Sequence, residues 1–200
     1  MSIVQAIRDP ARRSARSLEA ILAAATSRVA RESYAAVAIE QIAADAGVSK
    51  QTIYRWWPNK AALFIDVYGQ LVPRDYAAED TGTLRGDIEA LLAHLSQLYG
   101  DTPAGRILSG LIAEAQSDPA LAAQLRATYV APRRIIFRTI LQRAERRGEI
   151  ASPVDPDFAS DMFSGAIWFR LLLGHRRLDK RFRRQLTDAL LSGVVRLAPG

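Results

Sequence analysis

The chain contains no cysteine, which removes disulfides, thiolate nucleophiles and cysteine-based zinc or iron–sulfur centres, and which suits a reducing compartment. Only two histidines occur, His94 and His175, far apart in the chain. There is no Glu-x-x-His pair for a di-iron site, no Gly-x-Ser-x-Gly elbow and no phosphate loop. An enzyme needs a constellation of such groups and none is offered, so neither catalysis nor a bound cofactor or metal is expected. Long apolar runs are missing as well. No segment reaches about 18 uninterrupted apolar residues, and the opening MSIVQAIRDPARRSARS has no apolar signal core, so neither membrane spanning nor secretion is expected and the default location is cytoplasmic.

What is present is enough to fold. Of 200 residues 49% are hydrophobic, without a low-complexity tract, which suffices for one or two cores. The net charge of +6 favours polyanionic partners, although solvated lysines and arginines produce the same figure. Residues 1–60 hold nine Lys or Arg against five Asp or Glu, and residues 61–200 eighteen against sixteen. The small N-terminal part is therefore the more basic per residue. Arg8, Arg12, Arg13 and Arg16 form a basic lead-in, with 1–13 read as an arm that touches phosphates or as a solvated terminus.

Apolar positions recur at three and four, so the whole chain reads as helix. Leu18, Ile21, Leu22, Ala25 and Val29 form one stripe. Ile39, Ile42 and Ala43 open a second, and Leu63, Ile65, Val67, Tyr68 and Leu71 mark a fourth helix ending by Pro73. The following PRDYAAEDTG has turn composition. Later helices start at Asp118-Pro119 and Asp155-Pro156, each an N-cap acceptor ahead of a proline whose missing N–H does no harm at the first helical position. Pro132 should bend or break the pattern near Val130 and Ala131, and Gly148 should end it.

The segment Ile42 to Trp57 has the layout of a helix-turn-helix. Ala43 is small where two helices cross, Gly47 can take a positive φ in a tight turn, and Ser49 caps the second helix. Ile53 and Trp57, four apart, share the core face; Trp56 then points outward, or lies half-buried against the fourth helix. Lys50, Gln51, Thr52 and Arg55 are side chains suited to base edges in a major groove. Ser49, Tyr54, Trp56 and Lys60 are assigned to phosphates.

These residues carry a resemblance. From about Arg13 to Leu71, with IAADAGVSKQTIYRWWPNKAAL at the centre, the chain resembles the DNA-binding domain of the TetR family of bacterial transcriptional regulators. Ile42-Ala43, Ala46-Gly47-Val48-Ser49, Thr52-x-Tyr54, the aromatic at 57 and Lys60-x-x-Leu63 stand where that family has them. The resemblance implies an all-α protein: a three-helix DNA-binding domain, set here at 1–60, then a helical ligand-binding and dimerisation domain, 61–200, whose last two long helices pair into a four-helix interface. It implies double-stranded DNA, a second copy of the chain and a small-molecule effector as partners, and a homodimeric repressor released from a palindromic operator. Three positions depart from the family: Ala38 stands where Thr or Ser caps the second helix, Trp56 where His or Tyr is usual, and Ser33 where Gly is usual.

Candidates for the pocket are His94, Tyr99, Gln116, Tyr129, Phe137, Phe163 and Trp168, each of which also fits a core or an interface. Arg170 either neutralises an acidic ligand, snorkels or pairs with a carboxylate. Phe158, Met162 and Phe169 with Leu186, Leu190 and Val194 are suited to a dimer bundle or to completing the monomer core. The rival reading is a helical protein that binds DNA without sequence preference.

Overall fold

The computed structural model describes residues 10–72, 77–151 and 154–194, with side chains described from 14 to 193 within those ranges. The side chains of the expected arm 1–13 and of Val194 lie outside them. Every described element is helical: α1 Pro10–Arg31, α2 Ile39–Asp45, α3 Lys50–Tyr54, α4 Lys60–Leu71, α5 Leu84–Asp101, α6 Ala104–Ala115, α7 Pro119–Leu125, α8 Ala131–Arg146, α9 Pro156–Leu173 and α10 Lys180–Ala189. Wide π turns follow α7 (Arg126–Val130) and α10 (Leu190–Val194).

Local chemistry accounts for most boundaries. Asp118 accepts from the backbone of Ala120 and Leu121, and Asp155 from that of Asp157 and Phe158, so both helices start where an aspartate satisfies N–H groups that have no partner of their own. Pro132 has no N–H for the carbonyl four residues earlier, at Thr128, and the helix widens into a π turn there before resuming as α8. Gly148 takes φ +75° and Gly174 φ +60°, left-handed geometry that ends α8 and α9 at low cost.

Two apolar cores result. The first gathers Ile21, Ala25 and Val29 of α1, Ile42 of α2, Ile53 and Trp57, and Leu63, Phe64 and Val67 of α4. It does not stop at the N-terminal helices, because Ile107 and Leu111 of α6 and Leu121 of α7 belong to it as well. The second joins α5, α8, α9 and α10 through Ile88, Leu92, Phe137, Ile140, Phe163 and Phe182. Tyr68 and Leu71, at the far end of α4, touch both cores. At roughly 1.5–3 kcal/mol for each fully buried large apolar side chain, α4 is held on the first core by several such contacts and meets the second only with its last turn.

The seam between the N-terminal helices and α6 is close. The Tyr34 ring lies against Gly110 of α6, where no side chain intervenes, and its hydroxyl donates to Glu114 Oε2 at 2.6 Å. Arg106 of α6 donates to the last carbonyls of α1, Val29 O and Ala30 O, placing positive charge at a helix C-terminus.

Candidate nucleic-acid interface and cavity

Gly47, at φ +65°, closes the turn between α2 and α3, with Val48 N donating to Ala43 O at 3.0 Å. Ser49 caps α3: its Oγ accepts from Thr52 N at 3.2 Å. Ala38, at the head of α2, has no side chain to do the same, and one half of a capping arrangement stands in for it, Ala38 N donating to Gln41 Oε1 at 3.0 Å. Arg28 grips Asp45 through two parallel hydrogen bonds, Nε to Oδ2 at 2.6 Å and Nη2 to Oδ1 at 2.8 Å, bracing α1 against the end of α2. Each partner shifts the other toward its charged form, Asp45 below the ordinary carboxylate range chiefly through the Arg28 hydrogen bond.

On that frame Ile53 and Trp57 are buried while Ser49, Lys50, Gln51, Tyr54 and Arg55 are exposed and Thr52 is half-buried. The side chains suited to base edges therefore share an accessible face of α3. Lys50 is paired on the surface with Glu40 at 2.7 Å, which lowers the pKa of Glu40 and raises that of Lys50; an exposed pair of this kind is weak and exchangeable. Trp56 is half-buried, its ring edge-on to Trp57 at 5.7 Å, with the Arg55 guanidinium 5.5 Å from its centre. Of the two readings of Trp56, outward or half-buried, the ring is half-buried: α3 ends at Tyr54, and beyond it the ring packs edge-on to Trp57. Lys60 is also turned inward. Its Nζ donates to Tyr34 O at 2.7 Å and Val37 O at 3.1 Å and lies over the Tyr34 ring, so in this conformation it ties the loop before α2 to the start of α4 instead of projecting toward a phosphate. Burial holds its pKa below the ordinary lysine value.

A cavity of about 470 Å³ lies between the two cores, bounded by α4, α5, α6, the α7 end, α8 and α9. His94, Tyr99, Tyr129, Phe137, Phe163 and Trp168 all line it. Gln116 does not: it is exposed at the end of α6 and its amide donates to Ile112 O of its own helix. Arg170 is elsewhere too, stacked 3.9 Å over Phe182 and donating to Arg177 O. The cation facing the cavity is Arg133, which sequence reading missed. Its signal was there, since Tyr129, Arg133 and Phe137 follow one another at intervals of four on one face. Arg133 Nη2 donates to Tyr68 OH at 2.9 Å and Tyr99 OH at 2.7 Å, and its guanidinium lies 4.0 Å from the Tyr129 ring centre. Tyr99 and Tyr129 share a hydrogen bond at 2.7 Å, and the Trp168 indole donates to Tyr129 OH. Burial holds all three phenols above their ordinary pKa and His94 below its own, so the tyrosines and His94 are neutral at pH 7.

A third surface is apolar. Phe158, Met162 and Phe169 of α9 are exposed, as are Leu172, Leu173 and, from α8, Ile135. Leu190, expected on a dimer face, is only 2% exposed and belongs to the second core, and Leu186 packs half-buried against it. They share the four-residue stripe of Phe182, which that core claims. No helix among the described residues is long and apolar enough to cross a membrane.

An exposed, capped second helix on a helix-turn-helix frame, joined to a helical body with an internal cavity, defines the class of the helix-turn-helix transcriptional regulators. Residues 21–67 match the family model for bacterial regulatory proteins of the tetR family, and residues 78–190 that for the tetracyclin repressor-like C-terminal domain. The chain is 31% identical over 176 residues to the HTH-type transcriptional regulator YdeS of Bacillus subtilis (strain 168), covering 88% of each. It is 33% identical over 181 residues to the DNA-binding transcriptional repressor TetR of Mycobacteroides abscessus, covering 88% of this chain and 93% of that one. The crystal structure of the TetR-family transcription regulator SCO0332 superposes with a TM-score of 0.70 at 37% identity, over 92% of this chain and 99% of that one. The protein belongs to the TetR family: it is a DNA-binding transcriptional regulator and not an enzyme.

Proposed function

We propose that the chain acts in the cytoplasm as a homodimeric repressor, that two copies of α3 read a palindromic operator, and that a small molecule in the 470 Å³ cavity releases the DNA. The observation that carries the reading is the division of α3 into an exposed face bearing Lys50, Gln51 and Arg55 and a buried face bearing Ile53. In this reading Lys50, Gln51, Thr52 and Arg55 meet base edges, Ser49 and Tyr54 meet phosphates, and Trp56 packs beside the sugar–phosphate backbone. Lys60 serves by holding the loop before α2 in place. The exposed apolar residues of α9, with Ile135, form the contact between copies, and the units 1–60 and 61–200 divide reading from regulation.

A selection of bound fragments from random or genomic DNA tests this. The expected result is a palindrome with half-sites about 34–36 Å apart or a multiple of it, preferred over random DNA by about 10³ or more. Recovery of unrelated fragments, bound equally and released together by salt, would favour the sequence-indifferent DNA binder instead.

A further inference from the structure

Several of the described arginines hold a carboxylate. Arg28 holds Asp45, Arg134 holds Asp161, Arg138 holds Asp157 and Arg147 holds Asp87. Arg133 differs from these in its place: it faces the cavity, and no carboxylate among the described residues pairs with it. A guanidinium carries five N–H donors. The two on Nη2 go to Tyr68 and Tyr99; among the described residues the buried Nε has no acceptor and Nη1 makes no hydrogen bond. The three tyrosines are uncharged, so they solvate the cation without neutralising it, and the Tyr129 face adds only a cation–π contact. An unpaired buried charge is costly, and an anion that completes it removes that cost.

The rest of the wall limits what else such an anion must be. Leu91, Leu95, Leu108, Phe137, Phe163 and Ile167 line it with apolar atoms. Asp66, the carboxylate at the cavity edge, is engaged with the Trp57 indole at 2.8 Å, and His94 is held neutral. We propose that the effector is an organic monoanion, a carboxylate with a compact aliphatic or aromatic body, whose head seats on Arg133 while its body fills the apolar wall. The inference rests on the cavity being the effector site. It also gives the site a route outward: Tyr68, bonded to Arg133, and Asp66, bonded to Trp57, both ride on α4. A head group that redraws the hydrogen bonds of Arg133 acts on the helix that steadies the end of α3.

Calorimetry on the full chain, with octanoate and phenylbutyrate against octanol, phenylbutanol and octylamine, tests the class of ligand. At least one carboxylate is expected to bind about tenfold or more tightly than its alcohol, with octylamine weaker still. Arg133→Gln should lose that preference, and Arg133→Lys, which keeps the charge without the planar fork, should retain part of it. Alcohols that match the carboxylates, failure of both carboxylates to bind, or a folded Arg133→Gln protein that binds them like the parent would overturn the proposal. The comparison of acid with alcohol on the unmodified protein stands even where Arg133→Gln does not fold. A second arm titrates octanoate into the protein bound to its selected operator fragment. Arg133-dependent binding that leaves DNA affinity unchanged supports the ligand class and refutes release; release by octanol and octanoate alike does the reverse.

Discussion

Gly110→Ala adds one methyl group at the seam between α6 and the N-terminal helices. Its Cβ would fall inside van der Waals contact of Tyr34 Cβ, Cγ and Cδ1, atoms at the root of the side chain that cannot swing aside without moving the backbone of the loop before α2. Retreat is blocked. The far side of the ring meets Phe64 edge-on at 5.1 Å, the Lys60 ammonium sits 4.3 Å from its centre, and the hydroxyl is tied to Glu114. Overpacking of this kind costs about 1–3 kcal/mol, and losing the hydrogen bond to Glu114 adds about 1 kcal/mol. Alanine's better helix propensity returns about 1 kcal/mol. The net expectation is a loss of about 1–3 kcal/mol, or a midpoint lower by roughly 2–12 °C for a chain of this length. Urea and thermal unfolding followed by far-ultraviolet circular dichroism, at matched protein concentration because any association between copies feeds into stability, measure it. Gly69→Ala in α4 is the control: nothing lies within 4 Å of its would-be Cβ, so it should gain about 1 kcal/mol. If Gly110→Ala unfolds at or above the parent midpoint, the tight-seam argument is wrong.

Three further outcomes are expected. Arg55→Ala should relax discrimination at one base position and weaken operator binding by about 1–3 kcal/mol; equal losses on operator and random DNA in a salt series would remove it from the reading set. Phe169→Asp should leave the monomer fold intact, since that side chain is 60% exposed, while shifting sedimentation to the monomer and abolishing tight operator binding; an unchanged dimer would place the interface elsewhere. Asp87 is fully buried, and although burial raises its pKa, hydrogen bonds from Thr81 and Arg147 outweigh this and hold it below the ordinary aspartate value of 3.8. Its contribution is therefore present above that value and is lost as pH falls through the depressed one. Asp87→Asn should cost about 2–3 kcal/mol at neutral pH and flatten the acid limb of the stability profile, and an acid limb as steep as the parent's would show that other carboxylates dominate it.

The features legible in the sequence are those decided within a few residues. Asp118-Pro119, Asp155-Pro156, Gly47 and Gly148 announce helix ends because caps and positive φ are local properties of the backbone, and the disturbance of the helix ahead of Pro132, which is a π turn and not a break, is legible for the same reason. Ile53 and Trp57 were assignable to the core by phase alone. What depended on distant packing was not legible. Leu190 sits on an amphipathic stripe that either a second copy or the monomer could cover, and only the placement of α10 against α5 decides it. Gln116 and Arg133 are both polar residues on helices with apolar faces; the first ends in solvent and the second in a cavity, because the helices around Arg133 close over it. Lys60 has the charge for a phosphate, yet two carbonyls from a loop some 25 residues earlier capture it.

The shared first core bears on attempts to build hybrid regulators. Cutting after Val72 and transplanting only the N-terminal segment onto a foreign body would strip away Ile107, Leu111 and Leu121 and leave Tyr34 without its glycine seat. A chimera that keeps its specificity therefore has to inherit α6 and α7 along with the segment, or redesign the host surface to imitate them.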